Sequence, residues 1–384
     1  MVSETKANFF QRPFDDATML KLEIFRHYIR EWLPVFLTRR TSGSFLPTSV
    51  NMYDFFAGPG RDAAGNPGSP LIIVDELKQY CATQGDRKSE TPVRVLFNDK
   101  DRNAISELKK TVQESRCEKS CCHIEFTSQP FAESLNSTLP AMRAKASAHL
   151  VIMDQFGIKE VTPAIIQTLA RCQSTDLLFF ISTSYIRRFI ETPEIGKHFN
   201  LAKGELKDTE FNVIHRHLCD YFRSALGGET FYLAPFSIKK GSNIYGVIFG
   251  SRHLFGLEKF LKVCWALDPK TGEANYNIDQ EQIWTGQLSF NEEENTFKKI
   301  DLFKQELKKF VSEKKPNNIG LNEFCLLNGF SPSKAGEVLT ELQSKGELIV
   351  WDLMNKKQAR KRAFYLGWDN CKNKVGKVRF SWEK

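Results

Sequence analysis

The stretch Val50–Gly60, VNMYDFFAGPG, decides how the rest of the chain is read. A run of β-branched, apolar and aromatic residues ends in an acid, Asp54, and is followed by two closely spaced glycines, Gly58 and Gly60. Such a run, bounded by glycine, reads as a buried strand and a turn. Glycine reaches positive φ without steric cost and lets the backbone come close to a bound group. In open parallel sheets, ligands bind at the carboxyl end of the first strand, where a turn of this kind feeds a helix. The spacing is not the dinucleotide fingerprint G-x-G-x-x-G, because the third glycine is missing and Pro59 separates the two present.

Working outward, Val93–Phe97 (VRVLF) reads as a second strand that ends in Asn98-Asp99-Lys100-Asp101, ahead of a helical stretch to about Glu114. Doubly wound folds hold a ribose diol through an acid at that position, which makes Asp99 a candidate. Capping of the next helix by Asp99 and Asp101 is an equal alternative. Further strands are expected at His123–Phe126, His149–Met153 and Leu177–Ser182. Strands alternating with helical stretches imply an α/β fold, a doubly wound parallel sheet with helices on both faces. Asp154-Gln155-Phe156-Gly157 then falls at the carboxyl end of the fourth strand, beside the glycine turn. Gly68-Ser69-Pro70 opens a helix from Leu71 to Tyr80, with Ser69 as N-cap and Pro70 as first helical residue; an anion contact at that helix end is the alternative. Phe231–Ile238 and Ile244–Arg252 read as a hairpin that adds an antiparallel edge to the sheet. Tyr185, Arg187 and Arg188 follow the fifth strand and read equally as backbone contacts to a nucleic acid or as a solvated helix start.

The pattern D-x-F-x-G-x-G over Asp54, Phe56, Gly58 and Gly60 resembles the signature of class I S-adenosylmethionine (SAM) methyltransferases. That resemblance implies SAM as cofactor, held by Asp54, Phe56, Gly58 and Gly60, with Asp99 at the ribose. DQFG is similar to the D/N-P-P-Y/F tetrapeptide of base-amino methyltransferases, whose polar residue accepts from the target amino group while the aromatic stacks on the base. By that likeness Asp154 and Phe156 are the candidate catalytic residues. Gln155 departs from it by replacing proline, and Gly157 stands where the aromatic normally sits. Four patches together resemble the three-Cys-motif partner (TcmP) family: KLEIFRHYIREWL with Tyr28 and Trp32, DFFAGPG with the following GSP, DQFG, and Ile244–Trp265. The family usually reads DPFG. The resemblance implies a Rossmann-like methyltransferase sheet and a partner, a radical-SAM protein bearing three cysteines, encoded nearby. Two functions fit: SAM-dependent methyl transfer to DNA or RNA, or a non-catalytic SAM- or nucleic-acid-binding adaptor that serves the radical-SAM partner.

Charge divides the chain. Thr296–Lys384 carries 19 Lys and Arg against 10 Asp and Glu, while the remaining residues carry 35 against 36. The expected organisation is a methyltransferase-like domain over 1–295 and a basic domain over 296–384. In the latter, helices are expected at Lys299–Val311, Leu321–Leu327 and Ser333–Ser344, then strands at Glu347–Asp352 and Ala363–Gly367. Three helices followed by a hairpin is the winged-helix pattern. Its loop Asn355–Arg362 holds Lys356, Lys357, Arg360, Lys361 and Arg362 and no acid, which suits phosphate contacts; a protein-interaction module is the alternative. Nine scattered cysteines argue for reduced thiols, and the absence of a long apolar run or signal-peptide core argues for a cytoplasmic chain without a membrane anchor. Cys117, Cys121, Cys122 and His123 lack the paired spacing of a zinc site, and His215 and His217 do not share a helix face, so no metal is expected.

Overall fold

The computed structural model describes residues 10–38, 47–84, 90–115, 122–144, 146–155, 160–184, 186, 214–276 and 299–383. The chain divides into two units, Met1–Lys259 and Phe260–Lys384.

In the first unit, five strands lie parallel: β1 (Ser49–Asp54), β2 (Val93–Asn98), β3 (His123–Thr127), β4 (Ser147–Met153) and β5 (Thr175–Ile181). With the hairpin β6 (Tyr232–Lys240) and β7 (Asn243–Ser251) they form one sheet in the order β3-β2-β1-β4-β5-β7-β6, β7 running antiparallel to both neighbours. This parallel-dominated α/β sheet fits a Rossmann-like methyltransferase fold. The central strands β1, β4 and β5 are buried along nearly their whole length, which is why apolar residues dominate their interiors and polar ones, Asn51 and His149 excepted, fall at the strand ends. Connecting helices are α2 (Ser69–Gln84), α3 (Arg102–Ser115), α4 (Phe131–Met142), α5 (Pro163–Ala170) and α6, described over Ile214–Ser224. Helix α2 begins one residue earlier than expected, with the Gly68 carbonyl accepting from Ile72 N. Cys81, near its end, is disulfide-bonded, whereas Cys122, Cys172, Cys219, Cys264, Cys325 and Cys371 are free, so the expectation of reduced thiols holds for these and fails at Cys81.

The helix preceding the sheet, α1 (Asp16–Leu37), starts where Asp15 accepts from Thr18 N at 2.9 Å. Its inner stripe of Phe25, Tyr28, Ile29 and Trp32 is fully buried, each large side chain stabilising the fold by roughly 1.5–3 kcal/mol. Two polar contacts fix its direction. Tyr28 donates to Asp176 at the amino end of β5 (2.6 Å), and Lys21 pairs with Asp154 at the carboxyl end of β4 (2.6 Å). Seven helical residues separate the two contacts, a rise of about 10 Å, so α1 is anchored toward both the amino and the carboxyl ends of the adjacent strands β4 and β5. Arg30 reinforces it by gripping the buried Glu76 of α2 with two hydrogen bonds, at 2.9 and 2.7 Å. Helix α7 (Leu254–Leu267) follows the hairpin.

The second unit contains α8 (Lys299–Lys314), α9 (Asn318–Leu327) and α10 (Pro332–Ser344), followed by β8 (Leu348–Asp352), β9 (Lys357–Gln358), the short helix α11 (Trp368–Cys371) and β10 (Val378–Trp382). Asn317 and Ser331 cap α9 and α10. Phe303 and Phe330 stack at 3.8 Å in its core. The hairpin differs from expectation: Ala363–Gly367 is not a strand, and β8 pairs instead with β9 on one side and β10 on the other. The reason is local, since Arg362 and Tyr365 adopt φ of +63° and +53°, which no strand accommodates. Among the described residues, no helix is long and apolar enough to cross a membrane, and no group of three or more His, Cys, Asp or Glu is arranged to hold a metal ion.

Candidate active site

The glycine turn sits at the carboxyl edge of the sheet, between the ends of β1 and β2. Gly58 and Gly60 have φ of +61° and +92°, conformations that side chains other than glycine rarely adopt. Asp99 accepts from Gly58 N at 3.0 Å and from Asp101 N at 3.0 Å, so this buried carboxylate braces the turn and the start of α3 together. Ala57 N donates to the Asn98 carbonyl (2.9 Å), and the Asn98 side chain meets Phe55 O, Gln129 O, Gln129 N and the Thr127 hydroxyl. Asn98 thus ties the ends of β1, β2 and β3, a role the sequence reading missed. Phe56 is half-buried and lies 5.0 Å from the ring of Phe131.

A side chain at Gly58 is expected, from the sequence, to intrude on a cofactor. In the structure, the nearest obstacle belongs to the chain itself: a Cβ there would stand 2.4 Å from the ring of Phe10. The segment carrying Phe10 is tethered by Phe14 N, which donates to Asp62 at 2.5 Å. Burial of Asp62 works against its charge, but hydrogen bonds from Asn66, Phe14 and Ala64 outweigh this and hold its carboxyl below the ordinary value. At Gly60 the obstacle would be Leu108 of α3, at 2.6 Å. Both glycines are therefore needed for packing as well as for the turn.

Asp54 is fully buried, yet its hydrogen bonding is incomplete. Its Oδ1 accepts from Phe56 N at 3.2 Å, whereas Oδ2 has no hydrogen-bond partner. Burial, reinforced by the charges of Asp154 and Asp99, pushes its carboxyl up to about 7. The neighbouring Ser69 hydroxyl favours the charged form without reaching hydrogen-bonding geometry at Oδ2. An orphaned buried carboxylate oxygen, with two further carboxylates near it, is suited to a ligand that brings a positive charge.

Asp154 lies at the end of β4, as its position in the sequence implies, but it is engaged. Lys21 reaches it from α1 with its ammonium at 2.6 and 2.8 Å from the two carboxylate oxygens, and the same ammonium lies 4.6 Å over the ring of Phe180. Lys21 was legible only as an oddity: with Phe25, Tyr28 and Trp32 it follows the apolar stripe of α1 at helical spacing, and it is nearly fully buried. Gln155, which replaces the expected proline, turns inward and accepts from Glu160 N (3.0 Å) and Val161 N (3.2 Å), tying the end of β4 to the start of the segment before α5. Phe156 and Gly157 lie outside the described residues, as do Tyr185, Arg187, Arg188, Cys117 and Cys121.

In the second unit, Lys356, Lys357, Arg360, Lys361 and Arg362 are all exposed. Lys356 closes the turn between β8 and β9 with φ +49°, Lys357 lies in β9, and the other three lead away from it. Asp352 organises that turn by accepting from Met354 N and Asn355 N, each at 2.9 Å.

No protein-family model matches the chain, and no curated protein matches it. Solved structures similar to it in part include a SAM-dependent methyltransferase from Agrobacterium tumefaciens (8% identity, 62% of this chain and 62% of that one, TM-score 0.33). Another is magnesium protoporphyrin IX methyltransferase from Synechocystis with bound SAH (12%, 64% and 91%, TM-score 0.33). A third is Trm1 from Pyrococcus horikoshii in complex with SAM (13%, 68% and 63%, TM-score 0.37). The chain spans less than two thirds of the length of the first and third of these. Likenesses this weak bear no weight on the site; the fold rests on the strand order and directions given above.

Proposed function

We propose that the chain is a SAM-dependent methyltransferase of the class I type that acts on a nucleic acid. The observation that carries the reading is Asp54, a buried carboxylate with one orphaned oxygen, at the first strand's carboxyl end and beside a turn of two left-handed glycines. The residues present fit SAM. Asp54 would face its positive charge, the turn Ala57–Gly60 would pass close to its methionine part, and Asp99 would reach the ribose while keeping its hold on Gly58 N.

When bound, SAM supplies an electrophilic methyl group on a cationic sulfur. The chain's part is positioning: Asp154 accepts a hydrogen bond from the target amino group and aligns its lone pair with the methyl, and Lys21 fixes the carboxylate. No enzyme nucleophile is needed. A target base in a duplex would have to be flipped out to reach this edge. The basic segment Thr296–Lys384, which we read as a winged helix, supplies phosphate contacts.

The site also supports a second reading, an adaptor that binds SAM or nucleic acid and serves a three-cysteine radical-SAM partner, as the TcmP resemblance implies. The observations favouring it are the Lys21–Asp154 pair, which already occupies the proposed acceptor, and Gln155, whose side chain is held by Glu160 N and Val161 N.

Calorimetry with SAM and a tritiated-methyl assay on mixed nucleic acids separate the two. Replacing Asp154 alone would strand a buried ammonium, which typically costs 3–5 kcal/mol, so the pair is best removed together. Lys21→Met/Asp154→Ala should leave SAM affinity nearly unchanged and reduce transfer by at least ~10²-fold. Wild-type protein that binds SAM and methylates no nucleic acid, with or without the partner, would favour the adaptor.

A further inference from the structure

The proposed methyl transfer leaves unused a groove of about 990 Å³ within the second unit, bounded by α10 on one side and by residues 360–370 on the other. Gly336, in the middle of α10, forms part of its floor. Glycine inside a helix is destabilising relative to alanine, and a Cβ built here would meet no atom within 4 Å, so packing within the chain gives no reason for it.

The opposite wall carries Arg360, Lys361 and Arg362, none of which is paired with a carboxylate among the described residues. This wall is held in shape. Ala363 N donates to Arg360 O (3.2 Å), Phe364 N to Arg362 O (3.0 Å), and Arg362 N to the Gln343 side chain of α10 (3.0 Å). Two residues of it, Arg362 and Tyr365, hold left-handed backbone conformations that residues other than glycine adopt only at a cost. Tyr365 brings an aromatic ring to the groove, with Lys377 Nζ 5.2 Å from its centroid. On the helix side, the acid Glu337 is neutralised by Lys334 at 2.8 Å.

We infer that this groove binds single-stranded nucleic acid, an inference that rests on the nucleic-acid reading above. A duplex is read by a helix that stands proud and enters a major groove about 12 Å wide. Residues 360–370 rise beside α10 and make its face the floor of a trough. A single strand needs that shape: cations along one wall for successive phosphates, an aromatic ring for a base, and a floor that the strand can approach closely. Two arginines in the wall supply the planar fork that matches a phosphate.

The test uses the full chain, a fluorescent 12-nucleotide strand as RNA and as DNA, and the same sequence as a duplex, compared by anisotropy at one salt concentration. The expected result is at least 10-fold tighter binding of one or both single strands than of the duplex. Gly336→Leu fills the groove from a position with open space, so thermal stability should be equal or higher while single-strand affinity falls at least 10-fold. Gly336→Ala, which is smaller, should give a lesser loss in the same direction, and it serves if the leucine variant fails to fold. Arg360→Ala/Arg362→Ala should lower the salt slope by roughly 1.4, at about 0.7 per single-strand contact. Duplex binding as tight as single-strand binding, or single-strand binding insensitive to Gly336, overturns the inference and leaves the nucleic-acid reading standing. Absence of binding to any of the three overturns both.

Discussion

At the residue scale, Asp54 is where stability and proposed function pull apart. Its carboxyl titrates near 7 in the folded chain against an ordinary value of 3.8, so the native state holds the proton more tightly than the unfolded state does. The stability this contributes is complete below about pH 4 and is lost as pH rises to about 7, amounting to about 4 kcal/mol at most. Asp54→Asn does not titrate. The difference in stability between wild type and variant, followed by thermal denaturation, should therefore shift in favour of the variant between pH 4 and 8; a parallel pair of curves would show that Asp54 is not buried as described. A cation placed at Oδ2 favours the charged form, so SAM binding should release a proton below neutrality. Its affinity should rise with pH from 5 to 7, and calorimetry in buffers of different ionisation enthalpy reads the release directly. Asp54→Asn should abolish this dependence together with most of the affinity.

At the scale of elements, much of the architecture was legible because buried parallel strands leave an unmistakable record. The run Leu177–Ile181 is wholly apolar, Val50–Tyr53 and Val93–Phe97 are interrupted only by Asn51 and Arg94, and glycine, proline and acidic residues punctuate all three. What escaped was carried by single long-range contacts. Nothing local says that Lys21 meets Asp154, 133 residues away, or that Asn98 ties three strand ends. The segment Ala363–Gly367 misled because apolar and aromatic residues suit a strand and a packed coil alike, and only the left-handed Arg362 and Tyr365 decide between them. The N-terminal segment gave no signal, yet Phe10 covers Gly58, so the two should be energetically coupled. Gly58→Ala combines backbone strain of roughly 1–2 kcal/mol with displacement of the ring. Phe10→Ala in the same chain removes the second contribution and leaves the first. A double-mutant cycle by chemical denaturation should then show a favourable coupling of about 1 kcal/mol. Strict additivity would mean that Phe10 does not rest on the turn.

At the scale of the molecule, the two ends of the proposed reaction make opposite electrostatic demands. A site built on Asp54 and Asp99 favours a cationic cofactor, whereas a phosphate backbone requires the reverse sign. The chain separates them along its length: the net excess of basic charge lies in Thr296–Lys384, at 19 against 10, and the rest is near neutral. If that division is functional, nucleic-acid affinity and cofactor affinity should respond to different residues. Replacing Lys356, Lys357, Arg360, Lys361 and Arg362 by Gln in the full chain removes five exposed charges, and it asks nothing new of the left-handed backbone at Lys356 and Arg362. The slope of log affinity against log salt should flatten by up to about 3.5 on a single strand or about 4.5 on B-form DNA, in proportion to the number of phosphates contacted. SAM affinity, measured by calorimetry on the same protein, should not change. An unaltered slope would place the nucleic-acid contacts elsewhere, and a loss of SAM binding would show that the basic segment supports the fold of the cofactor site instead of the nucleic acid.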